Sequence, residues 1–203
     1  MISVSKQDDG IWVVTLNRPD KANALTEDML SELTDIVEAA TDARGLILTG
    51  AGKVFSAGAD LDAARAGLAT SPLWERLSSA IARHPGLTIS ALNGTVAGGA
   101  MGMVLACDLR IAVPTAKVFY PVMKLGFLPQ PSDPKRLVAL VGPARTKLIL
   151  MAGQKIAAPE ALNFGLLDRV VPADELMATA HGLAADALAA TPDIAGAIKA
   201  MCQ

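Results

Sequence analysis

Aromatic side chains are scarce in this sequence. Four Phe, two Trp and one Tyr make up 3% of its 203 residues, so its core has to pack through Ala, Val, Leu, Ile and Met. Cysteine is limited to Cys107 and Cys202, and histidine to His84 and His181. That excludes a disulfide framework and leaves no ligand spacing for zinc, so no metal is expected. Every long apolar stretch is broken by Gly, Pro or a charge before it reaches bilayer length, so no membrane span is expected. An excess of positive charge is missing too. Eighteen Lys and Arg stand against 20 Asp and Glu, and a net charge of −2 gives no electrostatic reason to expect nucleic acid. The opening MISVSKQDDG lacks a basic stretch followed by an apolar one. No secretory signal is read there, and a cytoplasmic protein is the expectation.

What is present suits one globular domain: 52% apolar and 19% charged residues over a length that can bury a real core. Ile2 to Val4 and Ile11 to Leu16 read as strands around the turn Asp8-Asp9-Gly10. Thr26 is the expected N-cap of a helix whose buried face is Met29, Leu33, Ile36, Val37 and Ala40, with Gly45 ending it. Leu46 to Thr49, Thr88 to Leu92 and Leu109 to Val113 read as buried strands, and Gly99 to Cys107 as a short helix. Beyond the Pro-rich stretch 129–134 the pattern is mostly helical, closing with helices over 174–190 and 192–201. Alternating strands and helices define an α/β fold with a helical C-terminal region.

Two Gly-rich turns follow buried strands: Phe55-Ser56-Ala57-Gly58-Ala59-Asp60, and Asn93 through Gly98-Gly99 to Gly102. Small residues let a ligand approach backbone N–H groups, and two such turns converging would aim two donors at one oxygen. Taken singly, each turn is better read as permitting tight strand-to-helix packing. Gly50-Ala51-Gly52-Lys53 fails as a phosphate-binding P-loop, with Ile47 and Val54 where Gly and Ser/Thr belong. A dinucleotide fingerprint is equally absent.

The segments 16–25 (LNRPDKANAL), 55–61 (FSAGADL) and Asn93-Gly94 with Gly98-Gly99 resemble the enoyl-CoA hydratase/isomerase (crotonase) family, as do 107–112 (CDLRIA) and 159–170. They stand in family order across residues 1 to about 175. The resemblance implies a crotonase-like spiral of ββα units over 1–175, a short helical tail over 176–203, and a homotrimer or hexamer. It implies an acyl-CoA thioester as the bound molecule, with coenzyme A part of the substrate and no permanently held cofactor. The N–H groups of Ala59 and Gly99 would hold the thioester oxygen. Lys21, Ala22 and Ala24, with Ala57, Asp60 and Leu61, would hold the coenzyme A end, Lys21 as a phosphate contact or as a solvated loop lysine.

Two positions depart from the family. Hydration of an enoyl thioester uses two glutamates, and the positions that match them are Gly102 and Val122. Between Glu75 and Glu160 the only carboxylates are Asp108 and Asp133. Asp108 is expected to be structural, paired with Arg110 or a backbone N–H. Asp133 is a candidate displaced acid/base group, weighed against a solvated loop residue or the N-cap of the helix near Pro134. Tyr120 is read as a pocket hydrogen-bond donor or a core tyrosine, with Val122 lining the same pocket, and His84 as a cation at a helix C-terminus. Two functions follow: thioester chemistry other than standard hydration, or a catalytically silent acyl-CoA-binding protein or partner subunit. A Ser–His–acid hydrolase is disfavoured, because no nucleophile elbow is present. Residues 76–159 carry ten basic and two acidic side chains, a balance that suits an anionic ligand.

Overall fold

A computed structural model describes residues 1–202. The chain opens with the antiparallel pair β1 (Ile2–Lys6) and β2 (Ile11–Leu16). Helix α1 (Glu27–Ala39) follows, and the Thr26 hydroxyl accepts the Met29 N–H at 3.2 Å, the expected N-cap. The helix stops at Ala39, earlier than Gly45, which instead opens β3 (Gly45–Gly50). Strand β2 pairs in parallel with β3, and β3 with β5 (Leu87–Leu92). Strand β5 in turn pairs with β7 (Leu109–Ala112). With β10 (Arg169–Val170) they form a six-stranded sheet in the order β1-β2-β3-β5-β7-β10. Strands β3 and β5 are buried almost end to end; β3 reads accordingly as an apolar run, whereas β5 buries Thr88 and Ser90 among its apolar residues.

After each of three parallel strands the chain crosses within a few residues to a second sheet, then into helix. Strand β4 (Val54–Ser56) follows β3, β6 (Thr95–Ala97) follows β5, and β8 (Lys117–Phe119) follows β7. With β9 (Ile156–Ala157) they form the sheet β4-β6-β8-β9. The helices completing the three turns are α2 (Leu61–Arg65) with α3 (Leu73–Arg83), then α4 (Met101–Ala106), then α5 (Val122–Leu125) with α6 (Asp133–Leu150). Helix α3 packs between α1 and α4, and α4 against α6. Three ββα turns stacked in register make a spiral. The expected turn Asn93–Gly99 therefore contains a strand, β6, that the sequence reading did not separate.

Helix α7 (Ala158–Phe164) leads to β10, and α8 (Leu176–Ala189) lies across β3, β5 and β7. Helix α9 (Pro192–Met201) buries no residue of its own. It is held by Lys199, whose Nζ donates to Asp108 at 2.7 Å and to the Gly86 carbonyl at 2.9 Å. Asp108 also accepts the Thr88 N–H and hydroxyl. It is structural as expected, but its cation is Lys199, while Arg110 pairs with Asp168.

His84 differs from its expected role as a helix-end cation. Its ring is buried, Nδ1 accepts the Gly86 N–H, and Nε2 faces the Ala40 carbonyl at 3.1 Å. Burial holds its pKa below the ordinary value, so the ring is neutral near pH 7. Among the described residues no helix is long and apolar enough to cross a membrane.

Candidate active site

Strands β4 and β6 lie side by side in parallel, with Val54 opposite Thr95 and Ser56 opposite Val96. Their C-terminal turns are consequently neighbours. Gly58 has φ +91°, and a Cβ there would sit 2.8 Å from the Ala97 carbonyl oxygen. Only glycine lets the two turns approach this closely. The 56–60 turn is also zipped to the segment 22–25. Ala57 N–H donates to the Ala22 carbonyl, Leu25 N–H to that of Gly58, and Asp60 N–H to that of Leu25. This parallel pairing uses the neighbours of Ala59 and turns its own N–H to the opposite side. Gly99 lies in the first turn of the helical run that continues into α4, where N–H groups have no intrahelical acceptor.

Ala59 and Gly99 line one cavity of about 290 Å³. Ala57, Leu61, Trp74, Tyr120, Val122 and Gln130 are among its other walls, and Tyr120 is its only ionisable lining residue among those described. Val122, at the position where the sequence resemblance implies a glutamate, contributes an apolar surface. Sequence reasoning missed Trp74. Its ring lies against Gly99, where a Cβ would meet three ring atoms at 3.0 Å, and its Nε1 donates to the Leu68 carbonyl at 2.7 Å. The available signal was compositional: Trp74 is one of only two tryptophans, on a helix with a marked apolar face.

Asp133 is neither solvated nor an N-cap. It is the first residue of α6, with Ser132 at the cap position, and it has no exposed surface. Its Oδ2 accepts the Tyr120 hydroxyl at 2.8 Å, and the same hydroxyl oxygen accepts the Gln130 N–H at 3.3 Å. Oδ1 accepts no hydrogen bond and has only the Arg136 guanidinium at 3.7 Å. Burial pushes the Asp133 carboxyl up to about 6, although Tyr120 and Arg136 pull against it. Burial and the Asp133 charge likewise push the Tyr120 phenol up. A Cβ on Gly102 would lie 3.3 Å from both Asp133 carboxylate oxygens. The Asp133 carboxylate thus fills the space beside position 102 that a side chain there would claim.

The loop before α6 is clasped from α3. Glu75 accepts the Ser132 N–H at 3.2 Å and a short hydrogen bond from the Ser132 hydroxyl, and Arg136 donates to Ser78. Burial raises the Glu75 carboxyl, but the Ser132 bonds outweigh it and leave the group below the usual carboxylate range.

The remaining candidates divide. Ala57 and Leu61 are on the cavity wall. Ala22 and Ala24 are in the zipped segment, where Ala24 offers its carbonyl to Arg18. Lys21 ends an exposed turn. The Asp60 carboxylate is taken up by Arg18 at 2.8 Å and by the N–H groups of Asp62 and Ala63, and the Arg18 bond holds it below its usual range.

The profile of the family described as "Enoyl-CoA hydratase/isomerase" matches residues 6–203. A short-chain-enoyl-CoA hydratase of Clostridium acetobutylicum is 34% identical over 194 residues, covering 89% of this chain and 73% of that protein. An ethylmalonyl-CoA decarboxylase of Pongo abelii is 30% identical over 183 residues, covering 86% and 61%. The 1.8 Å crystal structure of an enoyl-CoA hydratase from Bacillus anthracis superposes with a TM-score of 0.90 at 32% identity, covering 98% of this chain and 80% of that one.

Proposed function

From the premise that this chain belongs to the enoyl-CoA hydratase/isomerase family, we propose that it binds an acyl thioester of coenzyme A or of a carrier-borne pantetheine and acts on it by chemistry other than enoyl hydration. The thioester oxygen lies between the N–H groups of Ala59 and Gly99, and coenzyme A enters as part of the substrate. As the α-carbon loses a substituent, negative charge moves onto that oxygen. Donors fixed by backbone geometry need no reorganisation to meet it, and removing one such donor typically costs about 100- to 1000-fold in rate. Lys21, beside the zipped loops, supplies a phosphate contact for the coenzyme A end.

One observation carries the exclusion of hydration. The positions that the family resemblance matches to two glutamates are Gly102 and Val122, and among the described residues no carboxylate lines the cavity. Hydration adds a hydroxyl and a proton across a double bond and requires groups to move both. Decarboxylation through an enolate needs no base to break its carbon–carbon bond, and isomerisation can use one group for both of its proton transfers. The decarboxylase relative is in keeping with the first of these. Following absorbance with crotonyl-CoA and a long-chain enoyl-CoA tests the reading: no hydration above background is expected, and turnover at ordinary enzyme rates would overturn it.

The apolar Val122 wall favours a second reading, a silent acyl-CoA-binding protein or partner subunit. Calorimetric titration with CoA thioesters alongside turnover assays separates the two. Binding without turnover supports the second, and no binding removes both.

A further inference from the structure

Resting on the thioester reading of this cavity, we infer that Tyr120 and Asp133 form a proton relay, with the phenol as the catalytic residue at the substrate α-carbon and Asp133 as the positioning residue behind it. The geometry singles out this pair. Among the described residues Tyr120 is the cavity's one ionisable lining residue, and its hydroxyl is already bonded to Asp133 at 2.8 Å. The Gln130 N–H occupies one acceptor direction of that hydroxyl, and no other hydrogen bond to its oxygen is made among the described residues. Asp133 is wholly buried and keeps one oxygen without a hydrogen bond, a costly state for a group with only a packing role. It also stands where a side chain at position 102 would project, so the carboxylate missing from α4 is replaced by one from α6.

The step balances without a co-reactant. The α-carbon C–H bond breaks, its electron pair flows into the thioester as an enolate held by Ala59 and Gly99, and the proton passes to the Tyr120 oxygen. Tyr120 gives its own proton to Oδ2 of the ionised Asp133 in the same movement, so no free phenolate appears, the buried carboxylate becomes neutral, and the negative charge ends on the enolate oxygen. The reverse transfer returns a proton to carbon. The charged and titratable groups facing Asp133 are Tyr120 from the segment after β8, Arg136 on α6 and Glu75 on α3, while α4 (MGMVLA) carries none.

Exchange of the α-protons of butyryl-CoA in heavy water, followed by proton NMR, reads this step without knowledge of the natural reaction. Calorimetry with butyryl-CoA on the same samples reads binding alone. The wild type is expected to bind and to exchange. Tyr120→Phe and Asp133→Asn should each slow exchange on the order of 100-fold while changing the dissociation constant less than about threefold. The double variant should be no slower than the slower single one, because the pair acts as a unit. In the wild type, exchange should rise with pH as Asp133 ionises near pH 6, and Asp133→Asn should remove that rise. Binding with no exchange in the wild type, unchanged exchange in Tyr120→Phe, or losses that multiply in the double variant would each overturn the relay. Absence of binding would overturn the thioester reading itself. Tyr120→Phe alone decides the matter if Asp133→Asn does not fold.

Discussion

A carboxylate without exposed surface and with one unpartnered oxygen is a burden at neutral pH, and Asp133 is such a group. Its folded pKa is raised from 3.8 to about 6, so between those two pH values the folded state holds a proton that the unfolded state has released. The sign follows from linkage. This contribution is fully present below about pH 3.8 and is lost as pH rises through about 6, a loss of about 3 kcal/mol at most for a shift of this size. Asparagine keeps the shape and cannot titrate. Urea unfolding at pH 4 and pH 7 should therefore show Asp133→Asn gaining about 2–3 kcal/mol relative to the wild type over that interval. An unchanged difference between the two proteins would mean that Asp133 is not held protonated by its surroundings. His84, neutral and buried, works in the opposite direction at acid pH, which is why the comparison is made between variant and wild type and not on the wild-type curve alone.

At the scale of elements, two turns from adjacent strands meet only because of what they lack. Gly58 combines a positive φ with a Cβ direction aimed at the Ala97 carbonyl, whereas Gly67 has φ +109° and nothing within 4 Å of its Cβ position. The pair separates backbone strain from collision. Gly67→Ala should cost about 1–2 kcal/mol of stability, the ordinary penalty of left-handed backbone. Gly58→Ala should cost more and should weaken binding of a CoA thioester at least about tenfold, because its turn has to withdraw from Ala97. Denaturation and calorimetry on the two variants check this, and equal effects would show that the turns are not in contact. The same elements mark what the sequence could reveal. Strands β3, β5 and β7 are four to six residues long and rich in Leu and Ile, and were legible. Strands β4, β6 and β8 are three residues each, too short for any period to register, so the second sheet and the adjacency of the turns were not. Ala59, Gly99 and Tyr120 carried signals in local motifs. The Tyr120–Asp133 bond did not, because its two ends lie on either side of a Pro-rich loop whose path is set by the Glu75–Ser132 clasp from α3.

For the whole molecule, the distribution of charge acts less as a field over the cavity than as a set of internal fastenings. Of the ten basic residues in 76–159, Arg76 pairs with Glu38 and Asp35, Arg110 with Asp168, and Arg136 lies between Ser78 and Asp133. Arg145 and Lys155 lie over the rings of Phe164 and Phe119. The same device closes the chain at its far end. Helix α9 buries no side chain fully and leaves Ile194, Ile198 and Met201 exposed, so packing alone holds it weakly. Lys199 ties it to Asp108 at the edge of β7, and Asp108 in turn fixes Thr88 on β5. Partly buried and bonded to two acceptors, this ammonium is worth more than a surface ion pair, about 1–2 kcal/mol. Because that energy fastens one helix and not the sheets, its removal should act locally. Lys199→Ala should abolish hydrogen-exchange protection along α9 while amides of β3 and β5 keep theirs, and the midpoint of global unfolding should shift only slightly. Loss of protection spreading into β5 and β7 would instead make the Lys199–Asp108–Thr88 chain part of the core's own stability.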